Sequence, residues 1–311
     1  MKSFAICYGE QAINVSNSYC SNHSIHHPYA SSSSSSSSLS KNPTVQNAVT
    51  CIYKVKLPSS NTLQYFVVRI TWSKSNTEGF TIGICDHPFS SSELKNNSKV
   101  ITRKRGRFKG FDSVVSLRNT EVVWDLYKAK YGSGPEPVSG FYLAVLVDSE
   151  ACLILGDMGV GIGDVEARKR VSEFSLVSRS EHFLGDSVLS TAAKFRDAGA
   201  CHNITIRCGG DDRNHPALSV DVDRKNVIQV KRLKWNFRGN QTIFVDGVLV
   251  DLMWDVHDWL FRPRLGYGLF MFRTRSGFDS RLWLEDKNFE QKELDKIGFS
   301  LLVLVCRNSS D

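Results

Sequence analysis

Phe80-Thr81-Ile82-Gly83-Ile84-Cys85-Asp86 puts an apolar side chain at every second position through Phe80, Ile82 and Ile84. A period of two is the rhythm of a β-strand with one buried face, because successive side chains of a strand point to opposite sides. Ala217-Leu218-Ser219-Val220-Asp221-Val222-Asp223 has the same rhythm 137 positions later, with Leu218, Val220 and Val222 on one face and Ser and Asp on the other. Reading outward from this pair, residues 187–196 stand where 49–57 stood, and 203–208 resemble 67–72. Phe237-Arg238-Gly239 matches Phe108-Lys109-Gly110, and Met253-Trp254-Asp255-Val256 matches Val123-Trp124-Asp125-Leu126. Gly268-Leu269-Phe270-Met271-Phe272 then matches Gly140-Phe141-Tyr142-Leu143-Ala144-Val145. The order is shared throughout, which points to a tandem duplication. Two unrelated sandwiches with a similar strand rhythm are the alternative.

Each copy holds short runs rich in β-branched and aromatic residues, split by Ser, Asn, Gly and Pro clusters. That pattern predicts a mainly β chain of two antiparallel β-sandwich-like repeats with minor helix. The expected division is a Ser-rich disordered tail over 1–45, a first β repeat over 46–156 and a Gly-rich linker with a short helix over 157–180. A second β repeat over 181–307 and a short tail over 308–311 complete it. The tail contains the unbroken tract Ser31 to Ser38, which has nothing apolar to bury and so cannot offset its ordering entropy. Helix is expected only over 165–171 and 287–296. Trp124 and Trp254 hold matching places and are expected to plug the cores.

Composition sets the outer limits. The chain has 311 residues, 41% hydrophobic and 23% charged, with 18 Phe, 9 Tyr and 6 Trp, so it can bury a real core without staples. Its net charge of +7 is mild for a nucleic-acid binder. The 8 cysteines are scattered, with no CxxC pair, which favours a reducing compartment. The longest apolar run, Phe299 to Cys306, falls far short of the roughly 20 residues that a membrane-spanning helix needs. No transmembrane segment is expected. The cytoplasm or nucleus is the expected location, with the plastid a weaker option.

Gln46-Asn47-Ala48-Val49-Thr50-Cys51-Ile52-Tyr53 is one of three stretches with a family likeness. The second runs from Val123-Trp124-Asp125-Leu126 through Gly132-Ser133-Gly134-Pro135-Glu136-Pro137 to Ser139-Gly140-Phe141-Tyr142, and the third is Gly298-Phe299-Ser300-Leu301-Leu302. Together they resemble a plant protein family, domain of unknown function 868, over roughly residues 46–307. The resemblance implies a plant origin and carries over no activity, ligand or catalytic residue.

The most informative charges are two basic strips. Arg103, Arg105, Arg107 and Lys109 alternate with Thr102, Lys104, Gly106 and Phe108; Arg232, Lys234, Asn236 and Arg238 alternate with Lys231, Leu233, Trp235 and Phe237. Alternate side chains on a strand stand about 6.8 Å apart, near the spacing of phosphates or anionic head groups. Cations on an exposed strand equally guard a sheet edge, and Asp221 and Asp223 are expected to neutralise part of the second strip. Trp235 and Phe237 are expected to point toward a core, which suits base stacking poorly.

Other constellations lack the spacing their chemistry needs. The glycine run Gly156 to Gly163 has no Gly-Lys-Ser/Thr ending and puts Asp164 where a phosphate loop needs glycine. Cys201, His202, Cys208 and His215 show no zinc-knuckle spacing. Asp255, His257 and Asp258 have no nucleophile motif to serve and share only the aspartate with the first copy, which favours a structural Trp-Asp turn.

The resulting expectation is a non-enzymatic binding or adaptor protein with no cofactor or metal. Its site residues are Arg103, Arg105, Arg107, Lys109, Arg232, Lys234 and Arg238, and its partner is an acidic protein or an anionic membrane surface, ahead of nucleic acid. An enzyme or small-ligand carrier with a site between the sheets, and a nucleic-acid binder, are the alternatives.

Overall fold

The alternation that opens the sequence makes strands in both places. The computed structural model describes residues 44–57, 65–74, 79–85, 97–111, 119–158, 172–185, 188–196, 198–209, 216–262, 266–275 and 298–307. Residues 1–43 of the Ser-rich tail, the expected helices over 165–171 and 287–296, and His215 lie outside them, while Val45, expected in the tail, opens β1.

The chain first lays down a meander of β1 (Val45–Lys56), β2 (Tyr65–Ser73), β3 (Phe80–Cys85) and β4 (Ser98–Ile101). It then crosses to β5 (Arg105–Lys109) and β6 (Thr120–Asp125) and makes a small ribbon of β7 (Lys130–Tyr131) and β8 (Pro137–Ser139). β9 (Tyr142–Val147) and β10 (Glu150–Gly156) complete a four-stranded sheet of order β10-β9-β6-β5. β11 (Phe174–Leu184) follows, so strand occupies the last residues of the stretch expected to be linker.

A second series of strands follows. β12 (Val188–Lys194), β13 (Cys201–Gly209), β14 (Ala217–Val222) and β15 (Lys225–Val230) form a four-stranded meander. β16 (Arg238–Val245), β17 (Val248–Asp255), β18 (Tyr267–Thr274) and β19 (Ser300–Cys306) follow in spatial order. A five-residue helix, α1 (His257–Phe261), sits between β17 and β18, where only a turn was expected.

The two halves share one sheet. Among the described residues its order is β16-β17-β18-β19-β11-β1-β2-β3-β4, nine strands. The first half contributes its first meander and the second half its last, with β11 between them. β11 pairs antiparallel with β1 and parallel with β19, the one departure here from the expected antiparallel pairing.

Two cores result. In the first, Phe66, Ile70, Phe80 and Ile84 from the nine-stranded sheet meet Trp124, Leu143 and Leu153 from the sheet opposite. In the second, Phe270, Phe272, Leu301 and Val303 meet Ile204, Ile206, Leu218 and Val220. Burying each such side chain favours folding by roughly 1.5–3 kcal/mol, so the alternation fixes which face of each strand turns inward. Both expected tryptophan plugs are buried.

Candidate cationic groove

The same clip is built twice, on the outermost strands β5 and β16. Arg105 lies opposite Asp125 across β5 and β6, and its Nε donates to Asp125 Oδ2 at 2.6 Å. Arg238 lies opposite Asp255 across β16 and β17, with Nε to Oδ2 at 2.7 Å. The other oxygen of each carboxylate accepts a backbone N–H two residues on, from Tyr127 at 2.9 Å and from His257 at 3.1 Å.

The tryptophan before each aspartate turns inward and donates its indole N–H across the crossover. Trp124 reaches the Arg103 carbonyl at 2.8 Å, and Trp254 the Asn236 carbonyl at 3.0 Å. A glycine must face each ring. A Cβ on Gly106 would fall 2.6 Å from Trp124 Cζ2, and one on Gly239 would fall 2.3 Å from Trp254 Cζ2.

This geometry corrects the alignment read from sequence. Arg105-Gly106, not Lys109-Gly110, is the counterpart of Arg238-Gly239. Burial pushes the Asp125 carboxyl up, but its bonds to Arg105 and the Tyr127 N–H outweigh that and hold it below the usual carboxylate range. Asp255 serves the clip in the same way, as the Trp-Asp turn reading expected.

The expected basic strips are only partly strands. β5 begins at Arg105, so Arg103 lies in the crossover before it. The second strip is mostly a turn: residues 231–236 carry the chain from β15 to β16, with Arg232 at φ 53°, and of the named cations only Arg238 is on a strand. Leu233 is the anchor of this turn and is fully buried. Trp235 is 85% exposed, contrary to the expectation that it packs inward.

The charges divide into two sets. Arg105 is paired with Asp125, Arg107 with Glu121 at 2.9 Å, and Arg238 with Asp255. Arg103, Lys109, Arg232 and Lys234 are all exposed and have no ion pair among the described residues. The aspartates expected to neutralise the second strip go elsewhere. Asp221 pairs with Arg207, and Asp223 Oδ2 accepts from His202 Nδ1 at 2.6 Å.

Between the end of β15, the turn and the start of β16 lies an open groove of about 610 Å³. Gln229, Lys231, Arg232, Asn236, Arg238 and Asn240 supply its polar lining, with Trp254 beneath. Among the described residues cations and amides line it, with no carboxylate or imidazole. Such a surface attracts anions and offers hydrogen bonds to fix them.

A second cluster went unseen in the sequence. Arg179 on β11 donates from Nε to Glu181 Oε1 at 2.5 Å and reaches Glu136 Oε2 at 2.8 Å from Nη1. The Cys51 thiol lies 3.6 Å from that Nη1. Burial pushes Cys51 up to about 12. Glu136 belongs to the Gly132–Pro137 motif that carries the family likeness, which was the available signal. Of the weighed zinc ligands, Cys201 and Cys208 mark nearly opposite ends of β13, and no metal-holding group occurs among the described residues. Among those residues no helix is long and apolar enough to cross a membrane.

A family model described as a plant protein of unknown function, DUF868, matches residues 44–307. No curated protein and no solved structure matches the chain.

Proposed function

The chain belongs to this plant family of unknown function, and we propose that it is a non-enzymatic binding protein built from two tandem β-sandwich modules. Its second module docks an acidic segment of a partner protein in the cationic groove. The tandem reading is supported by the shared strand order and by the repeated Arg-Gly and Trp-Asp clip.

One observation carries the docking reading. Arg232, which lines the groove, and Lys234, in the same turn, have no ion pair among the described residues, whereas Arg105, Arg107 and Arg238 are already matched on their own sheets. A cation already held by a carboxylate gains little from a second one, while an uncompensated group gains the full contact and steers the encounter. Trp235, exposed in the same turn, supplies the aromatic anchor on which binding energy commonly concentrates. The proposed site thus contracts to Lys231, Arg232, Lys234 and Trp235, with Arg103 and Lys109 as a separate, weaker set on the first module.

The test is affinity purification of the full chain from plant extract beside two charge-reversed variants. K231E/R232E/K234E is expected to lose its partners, and R105E/R107E to keep them. The same partners on all three chains would return the cations to edge protection. A fluorescent fusion is expected in the cytoplasm or nucleus, with the plastid the weaker option.

Exposure of Trp235 also favours a second reading, single-stranded nucleic acid stacked on the indole. Retention on immobilised single-stranded DNA that falls steeply between about 50 and 200 mM salt, and vanishes in Trp235→Ala, would support it. Retention unchanged by salt would remove it.

A further inference from the structure

We propose that the acidic partner segment binds as an added β-strand along β16, extending the nine-stranded sheet. This rests on the groove reading above and specifies how the groove is filled. Among the described residues β16 is the last strand of that sheet, and its eight residues pair with β17 without a bulge. Natural edge strands are usually kept from foreign pairing by shortness, Lys, Pro or a bulge. β4, at the other end of the sheet, is four residues long and carries Lys99, and β5 presents Arg105, Arg107 and Lys109. β16 has none of these devices beyond its first residue.

The hairpin geometry says which backbone groups are offered. Asp246 and Gly247 form a two-residue turn with φ of 51° and 79°. Such a turn makes Val245 and Val248 a hydrogen-bonded pair. Alternation then aims the N–H and C=O of Asn240, Thr242 and Phe244 away from β17, toward the open edge. The Val256 N–H to Phe237 carbonyl bond, 2.8 Å, continues the same phase at the other end.

Side chains select the occupant. An added strand covers the groove beside the first residues of β16, where Lys231 and Arg232 meet acidic side chains on its inner face. On the outer face Phe244, 71% exposed, and its cross-strand partner Leu249, 47% exposed, receive an apolar side chain. The expected ligand is therefore an extended segment that alternates acidic and apolar residues, the strand-addition mode of peptide recognition.

The probe is an acetylated, amidated octapeptide of alternating Glu and Val, with a Lys–Val octapeptide as control, added to the full chain. Amide exchange of Asn240, Thr242 and Phe244 is expected to slow at least roughly tenfold with the acidic peptide alone, since new hydrogen bonds close those groups. Asn240→Pro removes an outward N–H without touching the ladder to β17, and is expected to weaken binding at least about tenfold while leaving the fold intact. Binding that K231E/R232E/K234E abolishes, but that protects none of these amides, overturns strand addition and leaves the groove reading standing. No binding at millimolar peptide overturns both.

Discussion

Arg179→Met is expected to be among the most damaging single substitutions in the protein. Arg179 lies at the middle of the seam, opposite Cys51 on β1 and Leu301 on β19. Its guanidinium is shared by two carboxylates, Glu181, 1% exposed, and Glu136, largely buried. Burial alone would pull the Arg179 group down, but Glu136 and Glu181 outweigh it and hold it charged, well above its ordinary range. Methionine keeps much of the volume and removes the positive charge, leaving two carboxylates inside the seam with nothing to balance them. Breaking a buried pair in this way costs about 3–5 kcal/mol. Each kcal/mol moves the melting point of a protein of this size by roughly 2–4 °C, so a loss of about 6–20 °C follows. Circular-dichroism melts and urea midpoints at pH 7 measure it. The companion R179M/E136L/E181L removes the imbalance altogether and is expected to return to within about 1 kcal/mol of the parent. A loss below about 1 kcal/mol in the single variant refutes the reasoning. So would a triple variant worse than the single one, since the cost would then lie in packing.

Three further outcomes follow from the geometry. Gly106→Val and Gly239→Val each drive a side chain into a buried indole and are expected to cost about 1–3 kcal/mol or more, with similar urea shifts in both halves; a large loss at one site alone would contradict the equivalence of the clips. Burial pushes Cys51 and Cys208 up to about 12 and Cys152 up to about 11, so at pH 8 all three are expected to resist iodoacetamide in the folded chain and to react once urea unfolds it, as read by peptide mass spectrometry. Asp125 has a folded pKa held below its unfolded value, so its contribution is present above about pH 4 and is lost as pH falls through the folded value. Asp125→Asn is therefore expected to be less stable at pH 6, with the difference narrowing toward pH 2; a constant difference across urea midpoints would count against it.

What the sequence made legible is what neighbours along the chain decide. Alternation at Phe80–Cys85 and Ala217–Val222 fixes which side chains turn inward, and both segments are strands with that face buried. The tryptophans fell at matching places because a large ring between two sheets needs the same site in each half. The register of β5 against β16 was missed for a physical reason. A tripeptide match aligns local composition, whereas position here is set by a glycine that faces a ring on the neighbouring strand. The run Lys231 to Arg238 also alternates, but its residues must carry the chain from one sheet to the other, and a crossover overrides the period. Trp235 is therefore exposed while Leu233 takes the inward place. The seam was invisible because Glu136, Arg179 and Cys51 meet only when β11 has paired with β1.

In the proposed tandem reading the two halves share one strand scheme but do not occupy equivalent positions in the whole. In the first half it is the opening meander that joins the shared sheet, which leaves β5 as the edge of a separate four-stranded sheet. In the second half the closing meander joins, so the counterpart of β5, β16, becomes the edge of the long sheet. The same clip thus terminates two different surfaces. On β5, cations at alternate positions with Asp125 and Glu121 beside them block an incoming strand and satisfy one another. On β16, the polar run Asn240, Gln241 and Thr242 leads to exposed Phe244, and the unmatched cations sit in the adjoining turn rather than on the strand. Asp255 holds Arg238 on β16 much as Asp125 holds Arg105 on β5, but β16 also adjoins a turn whose Arg232 and Lys234 have no ion pair among the described residues. In the proposed docking, the asymmetry of sheet joining is what would distinguish one of two similar edges, the one in the second half.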